Sequence, residues 1–492
     1  MKKISIILIL LILVSVVVAA CSEKNDSGTG TVPLSTENAE MEDDGPARLR
    51  VKDSLPADLN YNGASFRMFS SGESQNQYIQ GPEEQSGDIV YDTVIERNQI
   101  VEDRLNVKFE YFVPTLTWDQ VSGELRKVVM SGDDAYELLI AGQYGACLVA
   151  SEGLFINVLE GKYFDFEQPW WNTNYMNELA IGKNKIFFLV GDYFIDMLRG
   201  TKLLYFNKNL WENYFGGDDL YQIVFDGKWT IETMTNYVRQ SYHDINGNGM
   251  SDPDDIFGIV CYATYSSTDG FAFATDIEYI QRDADGLISL AINNEKSIKF
   301  AEMLVNLFYC EGFYIYPISG DANDFPHFKS GRSLFYPGTF STTNGLRDME
   351  NDYGMIPNPK YDEAQTNYRS VVHDTMNFGI VPITTSASKF EMTSAVVEAL
   401  CAESYRRVVP AYYETALKVK YVRDEASSQM IDLIHESMMT NFIFAYYSSL
   451  NNAGFVFRAL VTGKSTDFAS EYAKIEKGAL TGLEKLQAAY LD

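Results

Sequence analysis

Residues 136–158 read YELLIAGQYGACLVASEGLFINV, and the first six of them decide the fold class. Tyr136 to Ala141 is an apolar run of strand length without strict alternation. A strand of that kind is covered on both faces, the environment of a parallel sheet. The segments before it supply partners: Ser65 to Phe69 (SFRMF) reads as a short strand and Val107 to Phe112 as another. Between them Ile95, Ile100, Val101 and Leu105 recur near helical spacing, so Val90 to Leu105 reads as a helix, and Trp118 to Ser131 as an amphipathic one. Strand, helix, strand, helix, strand predicts an α/β architecture with helices on both faces of a parallel sheet. Ligands in such sheets bind beyond the carboxyl ends of the strands. Gln143 and Tyr144 directly follow this strand and are the first candidate ligand-binding residues.

The later chain continues in the same style. Lys185 to Val190, Lys202 to Phe206, Arg332 to Tyr336, Tyr353 to Ile356 and Asn377 to Val381 read as strands. Thr230 to Tyr242, Glu295 to Tyr309, Ala387 to Tyr405, Glu425 to Met438 and Ser465 to Tyr490 read as helices. Tyr279 to Ile292 reads as a hairpin turning at Asp283-Ala284-Asp285-Gly286. There is no internal repeat, and a body of this length calls for two lobes or domains.

The start of the chain sets an expected location. Lys2 and Lys3 precede an uncharged apolar stretch from Ile4 to Ala20, which ends in Val18-Ala19-Ala20-Cys21. Small residues at that place mark a secretory signal, and a cysteine immediately after them resembles the bacterial lipobox. The expectation is a signal peptide over 1–20, lipidation of Cys21, and anchoring on the extracellular face of the cytoplasmic membrane. Residues 21–56, rich in Ser, Thr, Gly, Asn and acidic side chains, read as a flexible tether. The net charge of −29 argues against nucleic acid as a partner. Cys147, Cys261, Cys310 and Cys401 show neither a C-x-x-C pair nor metal spacing, so no disulfide framework is expected.

Several short segments, taken in order, resemble the extracellular solute-binding proteins of the maltose-binding-protein class (family 1). They are the opening stretch, TKLLYFNKNLWENY (201–214), GKWTIETM (227–234), FKSGRSLFYPGTF (328–340), YGMIPNPKYDEAQ (353–365) and NFGIVPIT (377–384). The resemblance implies a two-lobed periplasmic-binding-protein-like α/β fold of type II with hinge-crossing strands. It places 57–204 and 358–422 in the N-terminal lobe, and 205–357 and 423–492 in the C-terminal lobe. It further implies a monomeric, non-enzymatic protein that captures a carbohydrate and hands it to the membrane subunits of an ABC importer.

A sugar site needs aromatic platforms for ring faces and polar groups for hydroxyls, and the chain is 14% aromatic. Trp170 and Trp171, beside Asn172, form the leading candidate platform, with a packing corner as the competing reading. Asp192 follows a strand and offers a carboxylate. Tyr336 and Phe340 flank Pro337-Gly338 and match the family's aromatic segment on the second lobe; Tyr446, with its neighbour Tyr447, completes the set. Trp229 reads as a packing anchor.

The sharpest local signal is the loop 244–255, DINGNGMSDPDD. Asp244, Asn246, Asn248, Asp252 and Asp255 stand at positions 1, 3, 5, 9 and 12, Gly249 at the turn, and Met250 where a carbonyl ligand is wanted. That spacing predicts a structural Ca2+ site, although Asp replaces Glu at position 12, Pro253 follows closely, and the same residues favour metal-free turns. Two functional alternatives stand beside the carrier reading: a surface glycosidase using paired carboxylates, and a binder of peptides or other polar solutes. The chain lacks G-x-S-x-G, H-E-x-x-H and G-x-x-x-x-G-K, and its His373-Asp374 pair has no evident nucleophile.

Overall fold

Leu138, Leu139, Ile140 and Ala141 are all fully buried, as a strand covered on both faces requires. The computed structural model describes residues 47–72, 76–183, 185–261, 264–316, 326–413 and 425–491. Cys21, the signal and most of the tether lie outside the described residues.

The first lobe opens with β1 (Ala64–Ser70), α1 (Ile89–Leu105), β2 (Val107–Phe112), α2 (Val121–Met130), β3 (Leu138–Gly142) and α3 (Gln143–Val149). It continues through α4 (Thr173–Leu179), β4 (Phe188–Leu189) and the single turn α5 (Asp196–Arg199). The chain then crosses into β5 (Lys202–Asn207), α6 (Leu220–Phe225), α7 (Ile231–Gln240), β6 (Phe257–Cys261) and α8 (Thr264–Phe273). A hairpin of β7 (Ile280–Arg282) and β8 (Ile288–Leu290) leads to α9 (Glu295–Phe308) and β9 (Phe313–Ile315), and then to β10 (Ser333–Thr339) and β11 (Tyr353–Ile356). From there β12 (Ser370–Val371) crosses back, and β13 (Asn377–Ile380) and α10 (Ala387–Glu403) rejoin the first lobe. The C-terminal part holds α11 (Glu425–Glu436), β14 (Met438–Met439), α12 (Phe442–Ala445), α13 (Val456–Gly463) and α14 (Phe468–Leu491).

The first sheet runs β2-β1-β3-β13-β4, the second β11-β5-β10-β6-β9. β1 is parallel to β2 and β3, as the strand-helix alternation predicts, whereas β13 is antiparallel to both β3 and β4. The two lobes meet through three neighbouring crossings. Thr201 bridges Val372, and β12 pairs in parallel with β14.

These contacts correct the lobe boundaries. The division at 204/205 falls inside β5. Residues 358–368 stay with the second lobe: Gln365 Nε2 donates to Ala274 O at 2.8 Å and Tyr368 OH to Val224 O at 2.8 Å. Of the segment 423–492, α13 packs on α8 and α9 of the second lobe, but α12 packs on α3 and α4 of the first. Local periodicity identifies a helix but carries no address for its packing partner.

In the first lobe Glu398, on α10, is fully buried and accepts the indole N–H groups of Trp170 (3.0 Å) and Trp171 (2.9 Å) and the Asp165 amide (3.2 Å). Burial outweighs these donors and pushes its carboxyl up to about 7. The native state therefore keeps a proton that the unfolded chain has released, and stability falls as pH rises from the ordinary glutamate value to about 7. Glu398→Gln is expected to flatten that part of the profile, checked by urea unfolding at about pH 5 and about pH 8.

Candidate ligand-binding site

The site grows from the end of β3. Gly142 lies so close to the crossing segment that a Cβ there would stand 3.0 Å from Thr375 O. Gln143 N donates to Met376 O (3.1 Å) and Tyr144 N to Asp374 O (2.9 Å), so the first turn of α3 is pinned to the crossing. This sets the half-buried Tyr144 ring within a row of aromatics. Trp118, 61% exposed, meets it edge-on at 5.0 Å, and Tyr447 stacks on it at 5.3 Å and 26°. Tyr447 in turn contacts Phe455 at 3.8 Å, and the Arg458 guanidinium lies 3.3 Å above the Phe455 ring. Tyr265, 50% exposed, sits 5.6 Å from the same guanidinium.

The row ends in charge. Arg458 grips Asp269 with two parallel bonds, Nε to Oδ1 at 2.6 Å and Nη2 to Oδ2. Lys202, buried at the start of β5, donates to Ser266 O (3.1 Å) and Ser266 Oγ (2.5 Å). On the adjacent crossing His373 Nδ1 lies 3.1 Å from Asp374 Oδ1 and 3.0 Å from Thr375 Oγ1. Burial raises the Asp269 carboxyl above its ordinary value and lowers the Lys202 ammonium. At Asp374 burial works upward too, but His373, Arg458 and Lys202 together outweigh it and hold the carboxyl low. Two cations, Lys202 and Arg458, thus face two carboxylates, Asp269 and Asp374, and the cluster carries little net charge.

Beside the row a cavity of about 330 Å³ is lined by Ser71, Leu116, Trp118, Tyr144, Thr375 and Asn377. Asn377 donates to Asp196 Oδ2 at 3.1 Å, and Asp196 is paired with Arg199 at 2.6 Å. The arrangement combines ring faces, carboxylate acceptors and cationic donors where the two lobes meet, the equipment for binding a polyhydroxylated ligand.

The structure sorts the sequence candidates. Tyr144 lies in the aromatic row, between Trp118 and Tyr447. Gln143 is buried beneath it, its Oε1 accepting Tyr175 OH (2.6 Å) and Thr440 Oγ1 (3.4 Å), and so braces the crossing. Trp170 and Trp171 are not platforms. Both are buried on Glu398, with Tyr405 against Trp170 and with Phe164 and Phe166 against Trp171. Asp192 lies away from the row, 3.8 Å from Arg48, and burial pushes its carboxyl up to about 7. Tyr336 packs on Tyr205 and Phe328, and Phe340 is fully buried in the same cluster. Tyr446 is buried too, donating to Leu179 O (2.8 Å) and bonded to Tyr490 OH (2.6 Å); it is Tyr447, one residue on, that joins the row.

Trp118, Phe455, Tyr265, Arg458, Asp269 and Lys202 were not singled out from the sequence. They come from separate segments with no common motif. The one available signal, an aromatic at a break between elements, is shared by many core residues.

The loop 244–255 joins α7 to β6 and shares no contact with the row. Gly247 N (2.7 Å) and Gly249 N (2.8 Å) donate to the Asp244 carboxylate, with both glycines at left-handed φ. Asp252 Oδ2 accepts the side-chain amides of Asn248 (2.6 Å) and Asn246 (3.2 Å). Buried Asp255 accepts Ile245 N (3.2 Å), Asp252 N (3.1 Å) and Tyr242 OH (3.1 Å). The Met250 side chain points to solvent, leaving its carbonyl as the group of interest. Among the described residues no cluster of three or more His, Cys, Asp or Glu side chains is gathered for a metal. The oxygens of this loop come instead from a mixture of Asp, Asn and backbone.

No protein-family model matches the sequence, and no curated protein matches it. Solved structures do. The galacto-N-biose-/lacto-N-biose I-binding protein of the ABC transporter from Bifidobacterium longum, in complex with lacto-N-biose, aligns with a TM-score of 0.58 at 10% identity, over 86% of this chain and 98% of that one. The GacH receptor of Streptomyces glaucescens, solved unliganded and with acarbose, aligns at 0.52 and 11%, covering 87% and 99%. An ABC transporter solute-binding protein from Agrobacterium radiobacter in complex with ribitol aligns at 0.53 and 10%, covering 86% and 99%. The chain therefore has the two-lobed, maltose-binding-protein-like α/β fold of type II periplasmic binding proteins.

The placement of the tryptophans has a measurable consequence. Trp170→Ala should cost about 3–5 kcal/mol in urea unfolding, as for other large core truncations. Trp118→Ala should stay within about 0.5 kcal/mol of wild type, because its ring is mostly solvent-exposed.

Proposed function

We propose that the protein is an extracellular, lipid-anchored binding protein that captures a neutral oligosaccharide between its lobes and delivers it to the membrane subunits of an ABC importer. The aromatic row from Trp118 through Tyr144 and Tyr447 to Phe455 carries this reading. It runs from the first lobe to the C-terminal segment and ends on the balanced Lys202, Arg458, Asp269 and Asp374 cluster, which suits hydroxyls better than a net ligand charge. The fold neighbours include proteins solved with lacto-N-biose, acarbose and ribitol, and these are binding proteins rather than enzymes. The Tyr144–Tyr447 stack covers one face of each ring, so a sugar ring takes the outer faces or parts the pair. A ligand that bridges both lobes stabilises the closed form by its differential affinity for it. The lipobox-like sequence at Cys21 supplies the anchor, and a monomer suits a protein that opens and closes.

The test is calorimetry on the chain from residue 21 with Cys21→Ser, against mono- and oligosaccharides. Saturable binding of one glycan class, recovered unchanged, is expected. Tyr144→Ala or Tyr447→Ala should weaken it about tenfold or more, equivalent to about 1.4 kcal/mol. Conversion of the glycan would establish the glycosidase alternative, and binding of peptides without glycans would establish the other.

We further propose that the loop 244–255 holds a structural Ca2+. Asp244, Asn246, Asn248, Asp252 and Asp255 with the Met250 carbonyl would supply hard oxygens in the number this cation takes. The closed loop, with Gly247 and Gly249 turning sharply, supports that reading. Calcium at millimolar concentration should raise the melting temperature, and Asp244→Ala should abolish the rise without changing glycan affinity. An equal rise in wild type and variant would refute the site.

A further inference from the structure

A second cavity lies apart from the aromatic site. It has a volume of about 700 Å³, within the range of small-molecule pockets, and shares no lining residue with the cavity beside Tyr144. Its walls come from α4 of the first lobe (Asn174, Glu178), α6 of the second (Phe225) and the crossings themselves (Arg369, Met438). A ligand filling it would lie between both lobes and the strands that join them.

Its chemistry is specific. Arg369 is half-buried, yet its guanidinium makes only one hydrogen bond to the described residues, Nη1 to Thr275 O at 3.3 Å. Glu436, at the end of α11, has no ion-pair partner among the described residues. Both line this cavity, and they do not pair with each other. The remaining acid, Glu178, accepts Phe442 N at 2.9 Å, lies 4.0 Å from Arg282 and also feels the charge of Arg369. A guanidinium with no ion pair within 4 Å and an unpaired carboxylate thus line a common space, together with the uncharged hydrogen-bonding side chains of Asn367 and Thr440. A fork of N–H donors selects a carboxylate in bidentate geometry, and a free carboxylate selects an ammonium.

We infer that this cavity is a second ligand site, for a small zwitterion of about one or two amino-acid residues. The ligand's carboxylate sits on Arg369 and its ammonium on Glu436, and occupancy is coupled to glycan binding through the crossings. The cavity's walls come from both lobes, so if the ligand's contacts with them differ between open and closed forms it shifts their balance, and glycan must shift its affinity by the same factor in return.

The experiment is calorimetry on the same soluble chain with the dipeptide Ala-Ala, its N-acetyl derivative and its C-terminal amide. The expected result is saturable binding of Ala-Ala, at least about tenfold weaker for each blocked derivative and for Arg369→Gln, and unchanged in Tyr144→Ala. A melting curve confirms that each variant is folded, and Glu436→Gln offers a second variant on an exposed position. Glycan titrated with Ala-Ala present should show an altered affinity, reproduced when the order of addition is reversed. No saturable heat with Ala-Ala, or equal binding by Arg369→Gln and wild type, would overturn the assignment. Binding lost in Tyr144→Ala but kept in Arg369→Gln would place the dipeptide in the aromatic site, overturning the second site and favouring the peptide carrier; the glycan titrations report on the aromatic site separately.

Discussion

The structure depends on a late strand completing an early sheet. β13 inserts between β3 and β4, with Asn377 opposite Gly142 and Ile380 opposite Leu139. Without it the parallel trio β2-β1-β3 would present an unpaired edge of buried backbone groups, which carries a high free-energy cost. The insertion also forces the segment just before it, His373 to Met376, against the end of β3. The Tyr144 amide then bonds Asp374 and the Gln143 amide bonds Met376. One ladder therefore both closes the first lobe and assembles the hinge, and Gly142 is where that approach leaves no room for a side chain.

The site is a product of the same geometry. Tyr144 belongs to the helix after β3, Asp374 to the crossing, Lys202 to the first residue of the second lobe's sheet, and Tyr447, Phe455 and Arg458 to the C-terminal segment. Their polar members neutralise one another: Arg458 with Asp269 by a bidentate pair, and Asp374 with His373 and the nearby cations. Such pairing keeps buried charges tolerable. These groups come from both lobes and from the crossings between them, so their spacing depends on how the crossings are held.

Much of the architecture was legible. YELLIA, SFRMF and the helices between them follow from hydrophobic period, and β5, β10, β11, β13 and the β7–β8 hairpin were foreseen from similar runs and turns. Other features were not. β6, FGIVC, is a short fully buried run after a polar loop; five residues give too little period to mark a strand, although it lies inside the second sheet. The tryptophan pair shows a second kind of limit. A polar indole N–H suits either a ligand platform or a buried carboxylate, and only Glu398, 228 and 227 positions along the chain, shows which applies here. Tyr446 and Tyr447 differ by one step around a short helix end, enough to send one ring into the core and the other into the site.

The sequence by itself determined the fold class, most of the order of strands and helices, the expected export signal and the turn-forming spacing of the 244–255 loop, because each depends on residues within one turn or one strand length. Tertiary structure alone decided which aromatics gather in the exposed row and which are buried, where the lobe boundaries fall and which charges meet. Those depend on contacts between residues tens to hundreds of positions apart, and side-chain chemistry at one position does not encode its distant partner.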